Sequence, residues 1–181
     1  MSVYFTSDPH LGHKNIHRFR SYIKSSEENT ELFVKHYEKT VRKQDIVYFL
    51  GDVAFDKESL DLLSQLKGRK IIIKGNHDDI IETKLQAEVF EEIYGMLKYK
   101  GFWLSHCPIH PAEMRKAKGN IHGHVHNHSI NDPRYLNVCT DNLMKMQGTS
   151  LISLDDVRAH FAKEKKVVSR ARRAVRSIVK L

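Results

Sequence analysis

The stretches DIVYFLGD, from Asp45 to Asp52, and KIIIKGNHD, from Lys70 to Asp78, decide how this chain folds. Each begins with β-branched and aromatic residues, which predicts a buried strand, and then reaches a glycine followed by polar residues. The segment Lys57–Leu66 between them carries leucines at helical spacing. A strand, a helix and a second strand in this order predict a βαβ unit.

The same alternation continues on both sides of this unit. We expect a strand at Val3–Asp8, a helix over Thr30–Lys43 and a helix after Asp78 that reaches about Phe90. The second half reads as short strands without long helices between them, at Met96–Lys100, Phe102–His106, Asn120–His126 and Tyr135–Cys139. A last strand, Leu151–Val157, would enter a terminal helix. The predicted fold is therefore α/β, with two packed mixed β-sheets flanked by helices.

The bulk composition indicates an ordinary globular protein. The chain has 181 residues, 40% of them hydrophobic and 29% charged, which predicts one main domain over residues 1–158. No apolar run reaches the roughly 18 residues of a membrane span, and the N-terminus does not resemble a secretory signal. Two cysteines are too few for a disulfide framework. We therefore expect a cytoplasmic protein.

Most of the net charge of +8 lies near the C-terminus, where residues 163–181 hold eight basic residues and the single acid Glu164. Apolar residues recur there at helical spacing, so residues 159–181 are predicted to form a basic amphipathic helical extension. Its apolar stripe would pack on the domain or on a second copy, giving a homo-oligomer, with Arg170, Arg172, Arg173 and Arg176 in solvent. Contact with nucleic-acid phosphates is the alternative. Membrane-surface association has less support, because the stripe has no aromatic anchors.

Polar residues follow several predicted strands at the point where each strand ends. In open parallel sheets, ligands bind beyond the carboxyl ends of the strands, so these side chains should meet at one edge. We interpreted the Asp-x-His and His-x-His pairs as extended segments that project alternate side chains to one side. The residues concerned are Asp8, His10, Asp52, Asn76, His77, Asp78, His106, His124 and His126.

These residue types offer carboxylate, imidazole and amide donors in sufficient number for two divalent ions. Mixed nitrogen and oxygen ligands without thiolate favour manganese, iron, zinc or nickel over calcium. Each motif alone has an ordinary explanation: Asp8 could cap a turn, Gly51-Asp52 could be a turn, and His106 could be a core histidine. Their joint occurrence at successive strand ends favours a metal site.

The motifs DPH (8–10), GD (51–52), GNHD (75–78), SHCP (105–108) and GHVH (123–126), in this order, resemble those of the calcineurin-like metallophosphoesterases. The resemblance runs from Ser2 to about Val157. It is strongest with the small bacterial and phage phosphoesterases that have no cap domain, and the stretches TSDPHLGHKNI and GRKIIIKGNHD carry it best. It implies a four-layer αββα sandwich and a dinuclear metal site, with manganese as the first expectation.

The resemblance also implies a role for each motif residue. Asp8, His10 and His126 would hold one metal, while Asn76, His106 and His124 would hold the second. Asp52 would bridge the two ions. His77 matches the family's catalytic histidine, which approaches the substrate and not a metal.

The sequence departs from the serine/threonine protein phosphatases of this superfamily, whose GD motif extends to GDxVDRG. Here the chain reads GDVAFDK, so Phe55 stands where an acid is expected to orient the catalytic histidine, and Lys57 does not reproduce the arginine. A protein phosphatase is therefore disfavoured. Asp78 and Asp56 are the candidates for orienting His77.

The expected function is hydrolysis of nucleotide or nucleic-acid phosphodiesters by metal-activated water. The absence of a long insertion predicts an uncapped site that accepts diesters. Polar residues after the first ligand pair, His13, Asn15, His17 and Arg18, are candidate substrate contacts, although a plain polar loop explains them equally well. A small-molecule phosphomonoesterase is the enzymatic alternative. A non-catalytic nucleic-acid-binding or scaffold protein is the alternative of another class.

Overall fold

The computed structural model describes the backbone from Met1 to Ile178 and the side chains as far as Val167. The strands are β1 (Val3–Thr6), β2 (Ile46–Phe49), β3 (Arg69–Ile73), β4 (Glu92–Tyr94), β5 (Met96–Tyr99), β6 (Phe102–Ser105), β7 (Gly119–His122), β8 (Tyr135–Asn137) and β9 (Ile152–Ser153). The helices are α1 (Ser26–Thr40), α2 (Lys57–Gln65), α3 (Thr83–Gln86), α4 (Pro111–Met114), α5 (Thr140–Gln147) and α6 (Leu154–Ile178). Short 3₁₀ turns occur at Ile16–Arg18 and Asp78–Ile80.

The strands form two mixed sheets. The first has the order β4-β3-β2-β1-β9, in which β1 to β4 are parallel and β9 is antiparallel to β1. The second has the order β5-β6-β7-β8, in which β5 is antiparallel and the other three strands are parallel. Two mixed sheets with flanking helices are the predicted fold class, which is confirmed.

Two hydrophobic clusters hold the layers together. One lies between the sheets, where Phe5, Tyr48 and Ile73 of the first sheet share a cluster with Leu104 and Ile121 of the second. The other covers the outer face of the first sheet, where side chains of α1 and α2 pack on β2 and β3. On the opposite side the short helix α4 lies over the second sheet, because Trp103 Nε1 donates to the carbonyl of Glu113 over 3.2 Å.

Several element boundaries differ from the expectation. Helix α1 begins at Ser26 because Ser25 caps it, accepting a hydrogen bond from the amide of Glu28. The helix expected to reach Phe90 is only the four residues of α3, and β4 follows it. Strand β7 ends at His122, before the Gly-His-Val-His motif. Helix α5 was not expected, and its first residue follows Cys139, whose side chain makes no capping bond.

Helix α6 runs without interruption through the expected domain boundary at residue 158. Phe161, beyond that boundary, is 4% exposed and belongs to the cluster between the sheets. The predicted apolar stripe and arginines beyond Val167 lie outside the side chains that the structure describes, so the separate extension stays a prediction. No helix in the described part of the chain is long and apolar enough to cross a membrane.

Candidate metal centre

The site forms where the loops after β1 and β2 run side by side beyond the ends of their strands. The amide of Asp8 donates to the carbonyl of Gly51 over 3.0 Å, and the amide of His10 donates to that of Asp52 over 3.2 Å. The loop after β3 joins them, because Asp78 accepts hydrogen bonds from the amides of Asp52, Val53 and Gly75. This backbone pairing fixes three motif loops of the first sheet at one edge.

The loops after β6 and β7 reach the same edge from the second sheet. The amide of His124 donates to Asp8 Oδ2 over 2.9 Å, so a loop of one sheet is bonded to a loop of the other. Gly123 permits this approach, because a Cβ there would overlap the side chains of Ser7 and Asp8. The predicted meeting of strand-end residues therefore occurs across both sheets.

Asp8, His10 and His126 form the first donor group, with their ligand atoms within 4.8 Å of one another. Asp8 Oδ1 lies 3.7 Å from His10 Nε2 and 3.7 Å from His126 Nε2. Asp8 Oδ2 accepts hydrogen bonds from the Ser7 hydroxyl at 2.6 Å and from the Cys139 thiol at 3.1 Å. The other carboxylate oxygen is therefore the one directed at the two imidazoles.

Asn76, His106 and His124 form the second donor group. His106 Nδ1–H donates to the carbonyl of Leu50 over 2.8 Å, so the other ring nitrogen, Nε2, is the one that faces the site. That Nε2 lies 2.9 Å from Asn76 Oδ1 and 3.2 Å from His124 Nδ1. Three donor atoms thus converge, from the residues that the resemblance assigns to the second metal.

Asp52 lies between the two groups. Its Oδ2 is 3.7 Å from His10 Nε2 of the first group and 3.4 Å from His106 Nε2 of the second. Its Oδ1 accepts a hydrogen bond from the amide of His77 over 2.9 Å. This position between two imidazoles is the one that a bridging carboxylate needs.

The buried donors fit metal ions because the protein leaves some of them without partners. Asp8 Oδ1 and both ring nitrogens of His10 are buried and make no hydrogen bond. Asp8 is fully buried and His10 is 6% exposed, and an unpaired buried polar group costs about 1–3 kcal/mol. Nitrogen and oxygen donors with an amide are the set that first-row divalent ions accept.

The charges of the site are also arranged for cations. Burial works against the charge of Asp8, but the nearby His10 imidazole, the charge of His106 and the hydrogen bond from the Ser7 hydroxyl outweigh it and hold the pKa of Asp8 well below its usual range. Burial alone would lower the pKa of His106, but its bond to Asp52 and the charges of Asp8 and Asp52 raise that pKa to about 9. The carboxylates therefore stay ionised, and a metal must displace a proton from His106.

Five of the seven candidate ligands have a left-handed backbone, with φ between 48° and 69°. They are Asp8, His10, Asp52, His124 and His126. For a residue other than glycine this conformation costs about 1–2 kcal/mol. The extended geometry that we expected for the Asp-x-His and His-x-His pairs is therefore wrong. The ligands converge because the chain turns tightly after each strand.

A network of buried side chains that sequence reasoning missed supports the first donor group. Asp141 Oδ2 accepts from His126 Nδ1 over 3.0 Å, which leaves His126 Nε2 to face Asp8. Arg20 pairs with Asp141 over 2.9 Å and also donates to the carbonyls of Asp8 and Pro9. Arg20 and Asp141 are each 2% exposed. A carboxylate behind a ligand histidine fixes its tautomer and orientation.

His77 lies beside the donor groups, and its ring packs against Phe55 and not against a carboxylate. Asp78 accepts from backbone amides of the motif loops, and Asp56 caps α2, so both candidate orienting carboxylates are engaged elsewhere. The ring of Phe55 lies 5.5 Å from that of His77 and 4.8 Å from that of His10, where it stacks. Phe55 thus contacts both the candidate catalytic histidine and a candidate ligand, whose own rings lie 6.1 Å apart.

Cys107 is a further residue that the sequence interpretation did not include. Its thiol and ligand atoms of His106 and His124 lie within 4.8 Å of one another. Cys107 is exposed, whereas the second cysteine, Cys139, is buried. The donor set at the second metal position can therefore include sulfur as well as nitrogen and oxygen.

A cleft of about 650 Å³ opens above the donor groups. Its walls include His77, His13, Ile16, Phe19 and Val125. Of the four candidate substrate contacts, only His13 is among its lining residues. His17 lines a neighbouring polar cleft, and Asn15 and Arg18 are exposed beside the 3₁₀ turn that contains Ile16. Ile16 and Phe19, which sequence reasoning did not single out, belong to the cleft instead.

Two mixed sheets thus deliver carboxylate, imidazole and amide donors to one edge, which is the arrangement of a metal centre. The chain belongs to the calcineurin-like phosphoesterase family, whose family model matches residues 1–161. The resemblance inferred from the motifs is thereby confirmed. Membership implies metal-dependent hydrolysis of phosphoesters.

The chain is similar to proteins from three other sources. An uncharacterized protein of the archaeon Methanocaldococcus jannaschii, MJ1445, is 32% identical over 142 residues, which cover 75% of each chain. The gene 66 protein of Mycobacterium phage D29 is 27% identical over 194 residues, covering 87% of this chain and 94% of that protein. A crystal structure of a protein of unknown function from Aquifex aeolicus, AQ665, has a TM-score of 0.67 and 25% identity, covering 87% of this chain and 98% of that one.

Proposed function

We propose that this protein is a dinuclear metal-dependent phosphodiesterase that hydrolyses phosphodiesters of nucleotides or nucleic-acid ends. Asp8, His10 and His126 would hold one ion, Asn76, His106 and His124 the other, and Asp52 both. Two divalent ions in such a site would neutralise phosphoryl oxygens and lower the pKa of water. Manganese is the first choice of ion, with iron, zinc and nickel as alternatives.

The observation that carries the preference for diesters is the composition of the cleft. Among the described residues, those that line it include six histidines and no lysine or arginine. A phosphomonoester carries close to two negative charges near neutral pH, whereas a diester carries one. Proteins usually hold a terminal phosphate dianion with arginine or lysine. The cleft thus suits the singly charged diester better.

His77 would act on the leaving group in this proposal. It lines the cleft, and its amide is held by Asp52, so its backbone is fixed relative to the bridging carboxylate. A ring nitrogen of His77 would give a proton to the oxygen that departs from phosphorus, which avoids a costly alkoxide. His77→Ala should therefore lose turnover while it keeps its metal, as elemental analysis would show.

The deciding experiment compares two aryl esters that share a leaving group, bis(4-nitrophenyl) phosphate and 4-nitrophenyl phosphate, on the manganese-loaded protein. The proposal expects a higher kcat/KM for the diester and loss of activity on addition of a chelator. A higher kcat/KM for the monoester would favour the phosphomonoesterase instead. Failure to bind metal and to cleave either ester would overturn the enzymatic assignment.

The proposal also covers the cellular location of the enzyme and the partner of its basic C-terminal residues. Cys107 and Cys139 are both free, which suits the reducing cytoplasm. The basic C-terminal residues beyond Val167 are proposed to join two copies of the chain or to contact nucleic acid. Size measurement at low and high salt would distinguish a stable dimer from a salt-sensitive complex with nucleic acid.

A further inference from the structure

We propose that Phe19, together with Val125, forms a subsite that stacks a nucleobase of the substrate, so that the base selects which diesters are cleaved. This inference rests on the proposed phosphodiesterase function. It assigns a binding role to side chains beyond the candidate ligands.

The exposure of Phe19 is the first observation. Its side chain is 72% exposed, whereas Phe5, Phe33, Phe49, Phe90, Phe102 and Phe161 are each buried. The ring nevertheless belongs to the wall of the cleft above the donor groups. An exposed aromatic ring at the wall of a cleft offers a flat apolar face to a bound group.

The segment that carries Phe19 is held rigidly. The amide of Phe19 donates to the carbonyl of Ile16 over 3.0 Å and closes the 3₁₀ turn. The next residue, Arg20, is buried and binds Asp141, Asn29 and two backbone carbonyls. Since the backbone on both sides of Phe19 is fixed, little ordering free energy is lost when a ligand stacks on its ring.

A row of rings joins Phe19 to the reacting end of the cleft. His13 lies edge-on to Phe19 with ring centroids 6.5 Å apart, and edge-on to Phe55 at 4.7 Å. Phe55 in turn lies 5.5 Å from His77. Phe19 is therefore linked through neighbouring rings to the candidate catalytic histidine, and Phe19, His13 and His77 line the same cleft.

The remaining lining residues favour a nucleobase over a purely apolar group. Val125 supplies apolar surface, whereas Ile16, which is only 2% exposed, supplies little. Asn127 and His128 line the same cleft and offer hydrogen-bond donors and acceptors to the edge of a base. A nucleobase combines a flat face with a polar edge, as this wall does. Base stacking on an aromatic side chain contributes about 1–3 kcal/mol.

The test uses the manganese-loaded protein and two diesters with the same leaving group and charge: thymidine 5′-(4-nitrophenyl phosphate) and methyl 4-nitrophenyl phosphate. The readout is the ratio of kcat/KM for the thymidine ester to that for the methyl ester. Phe19→Ala should lower this ratio by about 5- to 150-fold, the equivalent of 1–3 kcal/mol of stacking. The loss should come mainly from KM.

Three further variants separate stacking from other effects. Phe19→Trp should keep the ratio, and Phe19→Leu should lose it, because leucine is apolar but has no flat face. Ile80→Ala, which alters an apolar side chain that is 56% exposed and is not among the cleft residues, should leave the ratio unchanged. An unchanged ratio in Phe19→Ala, or an equal loss for both esters, would overturn the base subsite.

Failure of the proposed function would look different, because neither ester would then be cleaved by the parent protein. The affinities for thymidine 5′-monophosphate and for inorganic phosphate, measured by titration calorimetry, would then test the base subsite independently of catalysis. Tighter binding of the nucleotide that is lost in Phe19→Ala supports the subsite. Equal binding of the two compounds contradicts it.

Discussion

Phe55 places an apolar ring where the protein phosphatases of the superfamily have an acid. Its ring stacks on His10 at 4.8 Å with an interplanar angle of 28°, and it contacts His77 and His13 as well. A phenyl ring cannot share a proton with His77, so it can influence that side chain only by packing. Phe55 would therefore contribute to the reaction by holding the His77 side chain in position.

Phe55→Ala should lower kcat while leaving metal content unchanged, because the space beside His77 opens without loss of a ligand. A displacement of about 1 Å in a reacting group can cost up to about 100-fold in rate. Steady-state kinetics on bis(4-nitrophenyl) phosphate, with metal content measured on the same samples, would check this.

The matched control is Phe55→Tyr, which keeps the ring and should restore most of kcat. A fall in kcat of equal size in both variants would mean that bulk or polarity matters and not ring packing. An unaltered kcat in Phe55→Ala would remove Phe55 from the positioning of His77.

Cys107 introduces a soft donor next to the second metal position. Its thiol lies with His106 and His124 in one group of candidate ligands. Thiolate favours thiophilic ions such as zinc and cadmium, whereas carboxylate and amide oxygens favour manganese. The second position should therefore accept thiophilic ions more readily than the first.

Titration of the metal-free protein with cadmium should produce an ultraviolet thiolate-to-metal charge-transfer band, and Cys107→Ser should abolish it. Cys139→Ser is the matched control, since Cys139 is buried and donates to Asp8 Oδ2 over 3.1 Å. It should keep the band. A full band in Cys107→Ser would exclude Cys107 as a donor.

At the scale of elements, Arg20 links parts of the chain that are far apart in sequence. It follows the 3₁₀ turn, pairs with Asp141 of α5, bonds Asn29 of α1 and donates to the carbonyls of Asp8 and Pro9 after β1. A planar guanidinium with five donors can satisfy all of these acceptors, which a lysine cannot.

Arg20→Met should destabilise the protein by about 3–5 kcal/mol, because the buried Asp141 carboxylate loses its arginine partner and keeps only the hydrogen bond from His126. Urea unfolding of chelator-treated protein would measure this without a contribution from metal. Arg18→Met replaces an exposed arginine two residues away and should change stability by no more than about 0.5 kcal/mol. Equal effects of the two variants would show that the Arg20 network does not stabilise the fold.

The sequence predicted the elements whose signal is local. Strands β2 and β3 carry β-branched residues up to a glycine, so both strands were predicted, and the candidate ligands follow them directly. Helix α5 was missed because its three large apolar residues, Leu143, Met144 and Met146, lie close together in an otherwise polar run and Cys139 provides no cap. The strand β4 has only three residues, which is too short for a pattern to be recognised.

The site was predicted in composition but not in geometry. The identity of the donors follows from their residue types, whereas the left-handed backbone at five of them depends on bonds between loops, such as Asp8 to Gly51. Arg20 and Asp141 lie 121 residues apart, and nothing near either residue in the sequence indicates that they pair. Contacts between residues so far apart in the sequence can be recognised only when the fold is known.

At the scale of the whole molecule, the candidate ligands come from both sheets. Asp8, His10, Asp52 and Asn76 follow strands of the first sheet, while His106, His124 and His126 follow strands of the second. Bound ions would therefore cross-link the sheets. They would also compensate for the unpaired Asp8 Oδ1 and His10 nitrogens and for the strained backbone at the site.

Metal binding should consequently stabilise the native state. At a free manganese concentration of 100 times Kd, the gain is about 2.7 kcal/mol for one ion that binds only the folded chain. For a protein of this size that corresponds to a rise in Tm of roughly 5–11 °C. Calorimetric scans of chelator-treated and manganese-loaded protein would measure the shift.

Asp52→Asn tests whether this stabilisation depends on the bridging carboxylate. Asparagine tolerates the left-handed backbone at this position, where φ is 54°, and its side-chain oxygen can still accept the His77 amide. The metal-free variant should therefore fold like the parent. Its rise in Tm with manganese should be much smaller, because an ion would lose the charge that faces both His10 and His106. If parent and variant gain equally, the ions do not share Asp52.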